Sequence, residues 1–259
     1  NEVTTDVYSN LTIRSEDKSS HTARAPGTEK TEEVNYVIRE PDVLSGSDPN
    51  DKYYDDILGF DSTKAMAESF VSEYKAMSES IKKYKGFYIG RYELTGTVET
   101  PTEKTGEVLS AAFPGNWYYL YKACQNVVTE KNNVKSTMVY GVQWDAVCDW
   151  LKQSGFDTDS NSSSWGNYSD SSGNAAIAGA GSKQNTGFSD YWKANNIYDL
   201  AGNCWEWTQE ACATAGRTLR GGYYRYSGSD IPASDRSGSN PSNSESIYFF
   251  RAPLYMSNH

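Results

Sequence analysis

Apolar side chains recur every three or four residues in three stretches of this chain, and this spacing predicts three α-helices. The first helix covers residues 63–83. The second covers residues 117–127, shortly after Pro114, and the third covers residues 144–151 and ends near Gly155. Each predicted helix has one apolar face, so the three can share a core.

Other stretches alternate in polarity or lack any period. Residues 86–94 alternate aromatic with small or polar side chains, which predicts a strand, and residues 34–38 predict a shorter one. Ser, Gly, Asn and Asp dominate residues 154–182, which predicts a long surface loop. From residue 196 onward we expect short strands separated by glycine-rich turns. The pattern as a whole predicts an α+β domain at residues 63–259.

Charge sets the start of the chain apart. The first sixty residues carry 13 acidic and 6 basic side chains, and so hold −7 of the formal charge of −10. Such a segment buries little apolar surface, so residues 1–62 are expected to form an acidic, mostly irregular arm. The arm is either a solvated linker or a segment that packs along the domain or tethers it to an assembly. Since the chain does not begin with Met, we expect that an upstream segment was removed.

Composition argues against several function classes. With 24 basic against 34 acidic side chains and no basic stripe, the chain is not expected to bind nucleic acid. No apolar run approaches the roughly 20 residues that cross a bilayer, so we expect a soluble protein without a membrane span. His21 and His259, the two histidines, lie in a polar tail and at the last position. Ser-His-Asp or Cys-His catalysis and histidine-based zinc sites are therefore not expected.

Four cysteines are too few for a disulfide scaffold, and they form no C-x-x-C pair. We expect Cys124, Cys148, Cys204 and Cys212 to be reduced and packed as small apolar residues. The alternative is a single bridge, for which Cys204 and Cys212 are the nearest pair.

The segment N-I-Y-D-L-A-G-N-C-W-E-W-T at residues 196–208 resembles the core motif of the formylglycine-generating-enzyme-like, or sulfatase-modifying factor, family. Further segments follow in the order of that family: G-F-Y-I-G-R-Y-E at 86–93, Y-G-V-Q-W-D at 140–145, R-G-G at 220–222 and F-R at 250–251. The resemblance extends over residues 84–255. It implies a C-type-lectin-like fold, in which short antiparallel sheets and two to three helices support long irregular loops.

Trp205, Glu206 and Trp207 alternate, so a strand here places both indoles on one face and the carboxylate on the other. The first interpretation is a buried scaffold element, with Arg251 also internal and hydrogen-bonded to backbone or carboxylate partners. The alternative, suggested by the family, is that Asn203 and Glu206 hold a structural Ca²⁺ together with loop carbonyls, because this ion prefers oxygen ligands. No other cofactor is required.

The enzymes of the family bind copper through two cysteines placed a few residues after the R-G-G turn. Residues 223–236 contain no cysteine, so the catalytic pair is absent here. A second group with this scaffold, the variable proteins of diversity-generating retroelements, binds ligands through a hypermutated C-terminal stretch. The resemblance therefore implies a non-enzymatic ligand-binding protein from a phage or a bacterium. The alternatives are a relative of the formylglycine-generating oxidases and a calcium-dependent carbohydrate-binding lectin, whose sugar-binding tripeptide has a counterpart here only in Glu40-Pro41-Asp42.

Retroelement mutagenesis leaves a trace in amino-acid usage. Randomised adenines in AAC and AAT codons cannot produce Lys, Gln, Glu, Met or Trp. These five types account for 48 of the 259 residues, so about five or six are expected in any thirty positions. Residues 221–250 contain one, Glu245. The candidate variable region, about residues 217–259, is also rich in Tyr, Ser and Gly, as antibody paratopes are.

Within this region we expect a set of side chains to cluster on one exposed face and to contact the ligand. We expect the partner to be an unidentified protein or glycan on a cell or virion surface, and the resemblance suggests a phage virion or a bacterial cell surface as the location of the protein itself. The predicted ligand-binding residues are Tyr224, Tyr226, Asp230, Asp235, Ser237, Ser239, Asn240, Ser242, Asn243, Ser246 and Tyr248.

Overall fold

Three amphipathic helices supply much of the core, as their periodicity predicts. The computed structural model describes residues 2–4, 13–14, 29–30, 57–61, 63–102, 116–128, 133–171, 180–212 and 216–257. The helices are α1 (Thr63–Tyr84), α2 (Trp117–Gln125) and α3 (Gly141–Gln153). Along α1, the predicted stripe of Met66, Phe70, Tyr74, Met77 and Ile81 is buried.

The first four-stranded sheet contains β1 (Glu2–Thr4), β4 (Gly86–Ile89), β7 (Val134–Ser136) and β14 (Pro253–Met256). Their order in the sheet is β1-β4-β14-β7, and all the pairings are antiparallel. The outer position of β1 is a finding that the charge pattern did not indicate, since residues 1–62 were expected to be mostly irregular. The predicted strand at residues 34–38 lies outside the described residues.

The second four-stranded sheet contains β10 (Trp205–Cys212), β11 (Gly216–Arg220), β12 (Arg236–Ser239) and β13 (Tyr248–Phe249). Their order in the sheet is β12-β11-β10-β13. The pairings β10–β11 and β11–β12 are antiparallel, whereas β10 and β13 are parallel. Three two-stranded ladders complete the described strands: β2 (Ile13–Arg14) with β3 (Glu29–Lys30), β5 (Thr95–Gly96) with β6 (Pro101–Thr102), and β8 (Lys193–Ala194) with β9 (Ile197–Tyr198). The molecule is thus α+β, with short and mostly antiparallel sheets.

The prediction of a strand at residues 86–94 is wrong for residues 90–94, because β4 ends at Ile89. The carbonyl of Gly90 accepts a hydrogen bond from the guanidinium of Arg251, at 2.9 Å, and the carbonyl of Arg91 accepts one from the backbone N–H of Tyr198, at 2.9 Å. These backbone groups therefore bond to an interior side chain and to Tyr198 of β9 (Ile197–Tyr198) instead of extending the pairing of β4 with β1 and β14.

Cys124, Cys148 and Cys204 are buried and free, so Cys204 is not bridged to Cys212. Burial raises the pKa of Cys148 to about 12 and raises those of Cys124 and Cys204 well above the usual value. All three side chains are therefore protonated thiols that pack as apolar groups. In the described part of the chain, no helix combines the length and apolar character needed to cross a bilayer.

Candidate functional site

Strand β10 separates two very different environments. Trp205 and Trp207 point to one side and are 6% and 0% exposed, while Glu206, also buried, points to the other. The expectation that both indoles are internal and that the carboxylate faces away from them is confirmed. The tryptophan side supports two surface segments, which we name the first arm (residues 222–231) and the second arm (residues 239–248).

The backbone of the first arm is fixed by the loop at residues 157–171. The N–H of Gly228 donates to Asp170 at 2.9 Å, and its carbonyl accepts from the N–H of Ser162 at 3.0 Å. A Cβ atom at Gly228 would lie 2.5 Å from the backbone nitrogen of Ser163, so this position requires glycine. The carbonyl of Tyr226 also accepts from this loop, while its side chain is 48% exposed.

Tyrosines form a cluster on the first arm. The ring of Tyr223 lies 6.1 Å from that of Trp205, 5.5 Å from that of Tyr224 and 5.1 Å from that of Tyr226. The guanidinium of Arg225 stands 5.4 Å from the ring of Tyr224 and donates to its hydroxyl. Tyr223 thus connects the buried indole of Trp205 to the partly exposed ring of Tyr224 and the exposed ring of Tyr226.

The second arm is a turn stabilised by its own polar side chains. Oδ1 of Asn240 accepts from the N–H of Ser242 at 2.9 Å, as in an Asx-turn, and from its hydroxyl at 2.8 Å. The carbonyl of Pro241 accepts from the N–H of Trp117, the first residue of α2, at 2.9 Å. The ring of Tyr248 packs edge-on against Trp207, with the centroids 5.1 Å apart. The arm is therefore tied both to a helix terminus and to β10.

Most of the predicted ligand-binding residues lie on these arms or on β12 between them. Tyr223 of the first arm packs against Trp205 and Tyr248 of the second against Trp207, so both arms cover the tryptophan side of β10. The structure exposes Tyr226, Asp230, Asn240, Asn243 and Ser246, and leaves Tyr224, Ser237, Ser239, Ser242 and Tyr248 partly exposed.

Asp235 is the exception, and its predicted place on the exposed face is wrong, because it is 0% exposed. It precedes Arg236, which turns inward with Arg220 so that both guanidinium groups reach Asp145 of α3, each at 2.5 Å. Burial raises the pKa of Asp235 to about 7, although Arg220 and Arg236 act in the opposite direction. Asp235 therefore lies in the interior, within the electrostatic influence of Arg220 and Arg236, and not on the exposed face.

On the opposite side of β10, both carboxylate oxygens of Glu206 accept hydrogen bonds from Nε of Arg251, at 3.1 and 2.8 Å. Arg251 also donates to the carbonyls of Gly90 and Tyr198. Its predicted internal position and partners are confirmed. The carboxylate of Glu206 is paired with a guanidinium in this structure, and its role as a calcium ligand stays a prediction.

Asn203, the other residue considered for calcium, joins three loops through hydrogen bonds. Its Oδ1 accepts from the N–H of Gln184 at 3.0 Å and from the amide of Asn167 at 3.2 Å. Its Nδ2 donates to the carbonyl of Gln184 at 3.2 Å and to Glu93 at 3.3 Å. Its carbonyl accepts from the N–H of Tyr224 at 3.2 Å, which positions the first arm. These bonds give Asn203 a structural role that needs no ion, and calcium binding stays a prediction.

Two further carboxyl groups lie on the Glu206 side of β10. Burial raises the pKa of Asp199 to about 7, even though the N–H of Gly187 donates to it at 2.7 Å. Burial and the neighbouring Asp199 raise the pKa of Glu93 well above its usual value. Among the described residues, no group of three or more His, Cys, Asp or Glu side chains is arranged to hold a metal ion.

Three residues at this surface were not among the predicted ligand-binding residues: Tyr223, Arg225 and Lys183. Tyr223 and Arg225 lie within the tyrosine-rich stretch and could have been found by the same compositional signal. Lys183 could not, because it is 63 residues from Ser246, whose carbonyl accepts a hydrogen bond from its Nζ at 3.1 Å. The ammonium of Lys183 also lies 5.7 Å from the centroid of the Phe249 ring, which is buried beneath it.

A separate cleft of about 420 Å³ lies between α1, α2 and the edge of the first sheet. Glu73, which lines it, accepts hydrogen bonds from Tyr121 at 2.5 Å, from Gln209 at 3.2 Å and from Thr137. These contacts link α1 to α2 and to β10. The carboxylate in the cleft thus has a structural role.

No protein-family model and no curated protein sequence matches the chain. Solved structures with distant similarity to this chain include the following two. One is Treponema denticola variable protein 1, with 16% identity, coverage of 70% of this chain and 66% of that one, and a TM-score of 0.35. The other is PvdO from Pseudomonas aeruginosa, with 13% identity, coverage of 66% and 81%, and a TM-score of 0.39. This chain thus spans about two thirds of the variable protein.

Proposed function

We propose that this protein is a non-enzymatic ligand-binding protein, of the type of the retroelement variable proteins, built on a C-type-lectin-like scaffold. The observation that carries the proposal is the construction of the two arms. Their backbones are fixed by the surrounding loops and α2, while Tyr226, Asp230, Asn240, Asn243 and Ser246 remain exposed. Side chains at such positions can change with little effect on the fold, since surface substitutions usually cost within about 0.5 kcal/mol.

The chemistry of the arms suits recognition of a macromolecule. Tyrosines offer large, rigid contact areas with a polar end, and serine and asparagine supply adaptable hydrogen bonds. Tyr223 and Tyr224 sit at the base of the cluster, and Tyr226 presents its ring outward. The partner that we propose is a protein or glycan on a cell or virion surface, met by this protein at the surface of a phage or a bacterium.

Oxidase chemistry of the copper type has little support from the residues present. The segment 223–236 offers no thiol, and Cys124, Cys148 and Cys204 are buried and protonated. A soft-metal site needs thiolates that a substrate can approach. Incubation with copper, oxygen and a cysteine-containing sulfatase peptide should give no formylglycine by mass spectrometry, and clear turnover would contradict the proposal.

The decisive test of the proposed class is the DNA sequence that follows the gene. We expect a near-identical template copy of the 3′ end and a reverse-transcriptase gene. Differences between copy and gene should fall at template adenines within codons for exposed positions, such as Tyr226, Asn240 and Asn243. Codons for Gly228 and the buried Asp235 should match the template. Absence of the template and the reverse transcriptase, or differences concentrated in buried positions, would overturn the proposal.

A further inference from the structure

The loop at residues 180–187 lies between the two arms, although it is outside the candidate variable region. On one side, Gln184 bonds to Asn203 through both its N–H and its carbonyl, and Asn203 in turn accepts from the N–H of Tyr224 on the first arm. On the other side, Lys183 donates to the carbonyl of Ser246 on the second arm. One loop therefore connects both arms of the surface.

Lys183 is held in place by groups that do not depend on the identity of the exposed side chains. Its ammonium donates to a backbone carbonyl and lies near the buried ring of Phe249. Any side chain at position 246 leaves that carbonyl available. The positive charge is thus a constant feature of the surface, whatever residues the arms display.

A ligand that covers both arms also covers this partly exposed ammonium. Removing a charged group from water is costly unless the ligand supplies a compensating partner. The ammonium has three N–H donors, and the carbonyl of Ser246 takes one of them. A carboxylate is the partner that best restores the lost hydration, since charge-assisted hydrogen bonds are the strong ones.

We infer that the loop at residues 180–187 is a constant third part of the binding surface, and that Lys183 pairs with an acidic side chain of a protein ligand. This inference rests on the proposed function of the arms. It adds a chemical requirement on the ligand that the arms alone do not set. Asp230 and Glu245 are the acidic side chains of the arms themselves, so the requirement is local to Lys183 and is not a demand for a highly acidic partner.

The test uses the full chain displayed on yeast, with positions 224, 226, 230, 240, 243 and 246 randomised. Binders are selected in parallel against ovalbumin, an acidic protein, and lysozyme, a basic one. In clones that bind ovalbumin, Lys183→Met should weaken binding at least tenfold and reduce the salt dependence of association, whereas Lys183→Arg should retain most of the affinity. Lys193→Met is the matched control, because this lysine pairs with Asp190 outside both arms, and it should change affinity less than twofold.

The outcomes separate the two claims. If neither library target yields binders, the proposed function of the arms fails, and the inference fails with it. If binders arise but Lys183→Met changes their affinity less than twofold, the arms bind ligand without Lys183 and only the inference is overturned. If Lys183→Met weakens binders of both targets equally and lowers the melting temperature, the lysine acts by holding the second arm, and the proposed contact with a carboxylate is wrong.

Discussion

The two sides of β10 use the same strand for opposite purposes. On the Glu206 side, charged groups are buried. Arg251 donates hydrogen bonds to Glu206 and to two backbone carbonyls, and it lies near Glu93 and Asp199. On the tryptophan side, Trp205 and Trp207 form an apolar base beneath arms whose outer side chains meet solvent. A single strand thus separates the residues that specify the fold from those that support a changeable surface, because alternate side chains point to opposite sides.

Replacing Arg251 should cause the largest loss of stability on the Glu206 side of β10. Arg251→Met leaves the buried carboxylate of Glu206 without its partner, and we expect a loss of about 3–5 kcal/mol in the free energy of unfolding, measured by denaturant titration. The double variant Arg251→Met/Glu206→Met should recover part of this loss, because it removes both charges. If the double variant is no more stable than Arg251→Met alone, the pair does not have the role described.

Gly228→Ala should have an intermediate effect that is confined to the tryptophan side. The new methyl group would meet the backbone of Ser163, and such overpacking costs about 1–3 kcal/mol. Hydrogen exchange should be faster along the first arm and unchanged in α1. The control is Ser229→Ala at the exposed neighbouring position, which should change stability by less than about 0.5 kcal/mol. Equal effects of the two substitutions would show that the arm is not fixed by the loop beneath it.

Asn203→Asp tests the residue that links the two sides of β10, because Asn203 bonds both to Glu93 and to the backbone of Tyr224 on the first arm. The substitution removes the two N–H donors that serve Glu93 and the carbonyl of Gln184, and it brings a negative charge toward Glu93. We expect a loss of about 1–3 kcal/mol, since buried polar groups are left unpaired. If added calcium raised the melting temperature of the native protein itself, the predicted calcium site at Asn203 would be supported instead. The readout is the melting temperature with calcium and with a chelator.

Asp199, on the Glu206 side of β10, should make the stability of the protein depend on pH. Its pKa is about 7 in the folded protein, against roughly 4 in an unfolded chain, so the folded state binds more protons between these values. The contribution of Asp199 to stability is therefore complete below about pH 4 and is lost as the pH rises toward 7. Asp199→Asn keeps an acceptor for the N–H of Gly187 and cannot ionise, and asparagine tolerates the positive φ of 57°. The difference in unfolding free energy between the variant and the native protein should shift in favour of the variant from pH 4 to pH 7; a constant difference would contradict the raised pKa.

The sequence predicts the features of this structure that depend on neighbouring residues, and it does not predict those that depend on contacts between residues far apart in the chain. Helical periodicity locates α1 closely, and the alternation of Trp205, Glu206 and Trp207 assigns the two sides of β10. The prediction for Asp235 is wrong because a local pattern cannot show which polar residue of a polar stretch turns inward. The buried Asp235 interacts with Arg220, which lies elsewhere in the chain. Lys183 was missed for the same reason, since its neighbour Ser246 is remote in sequence.

The most direct measurement of the central claim replaces the exposed side chains of the arms together. The variant with Ala at Tyr226, Asp230, Asn243 and Ser246 should unfold within about 2 kcal/mol of the native protein, at roughly 0.5 kcal/mol for each surface position. Trp207→Ala, which removes part of the base beneath the same surface, should lose about 3–5 kcal/mol. If the variant with four alanines were destabilised as much as Trp207→Ala, these side chains would support the fold. The arms would then not be a surface whose side chains are free to change.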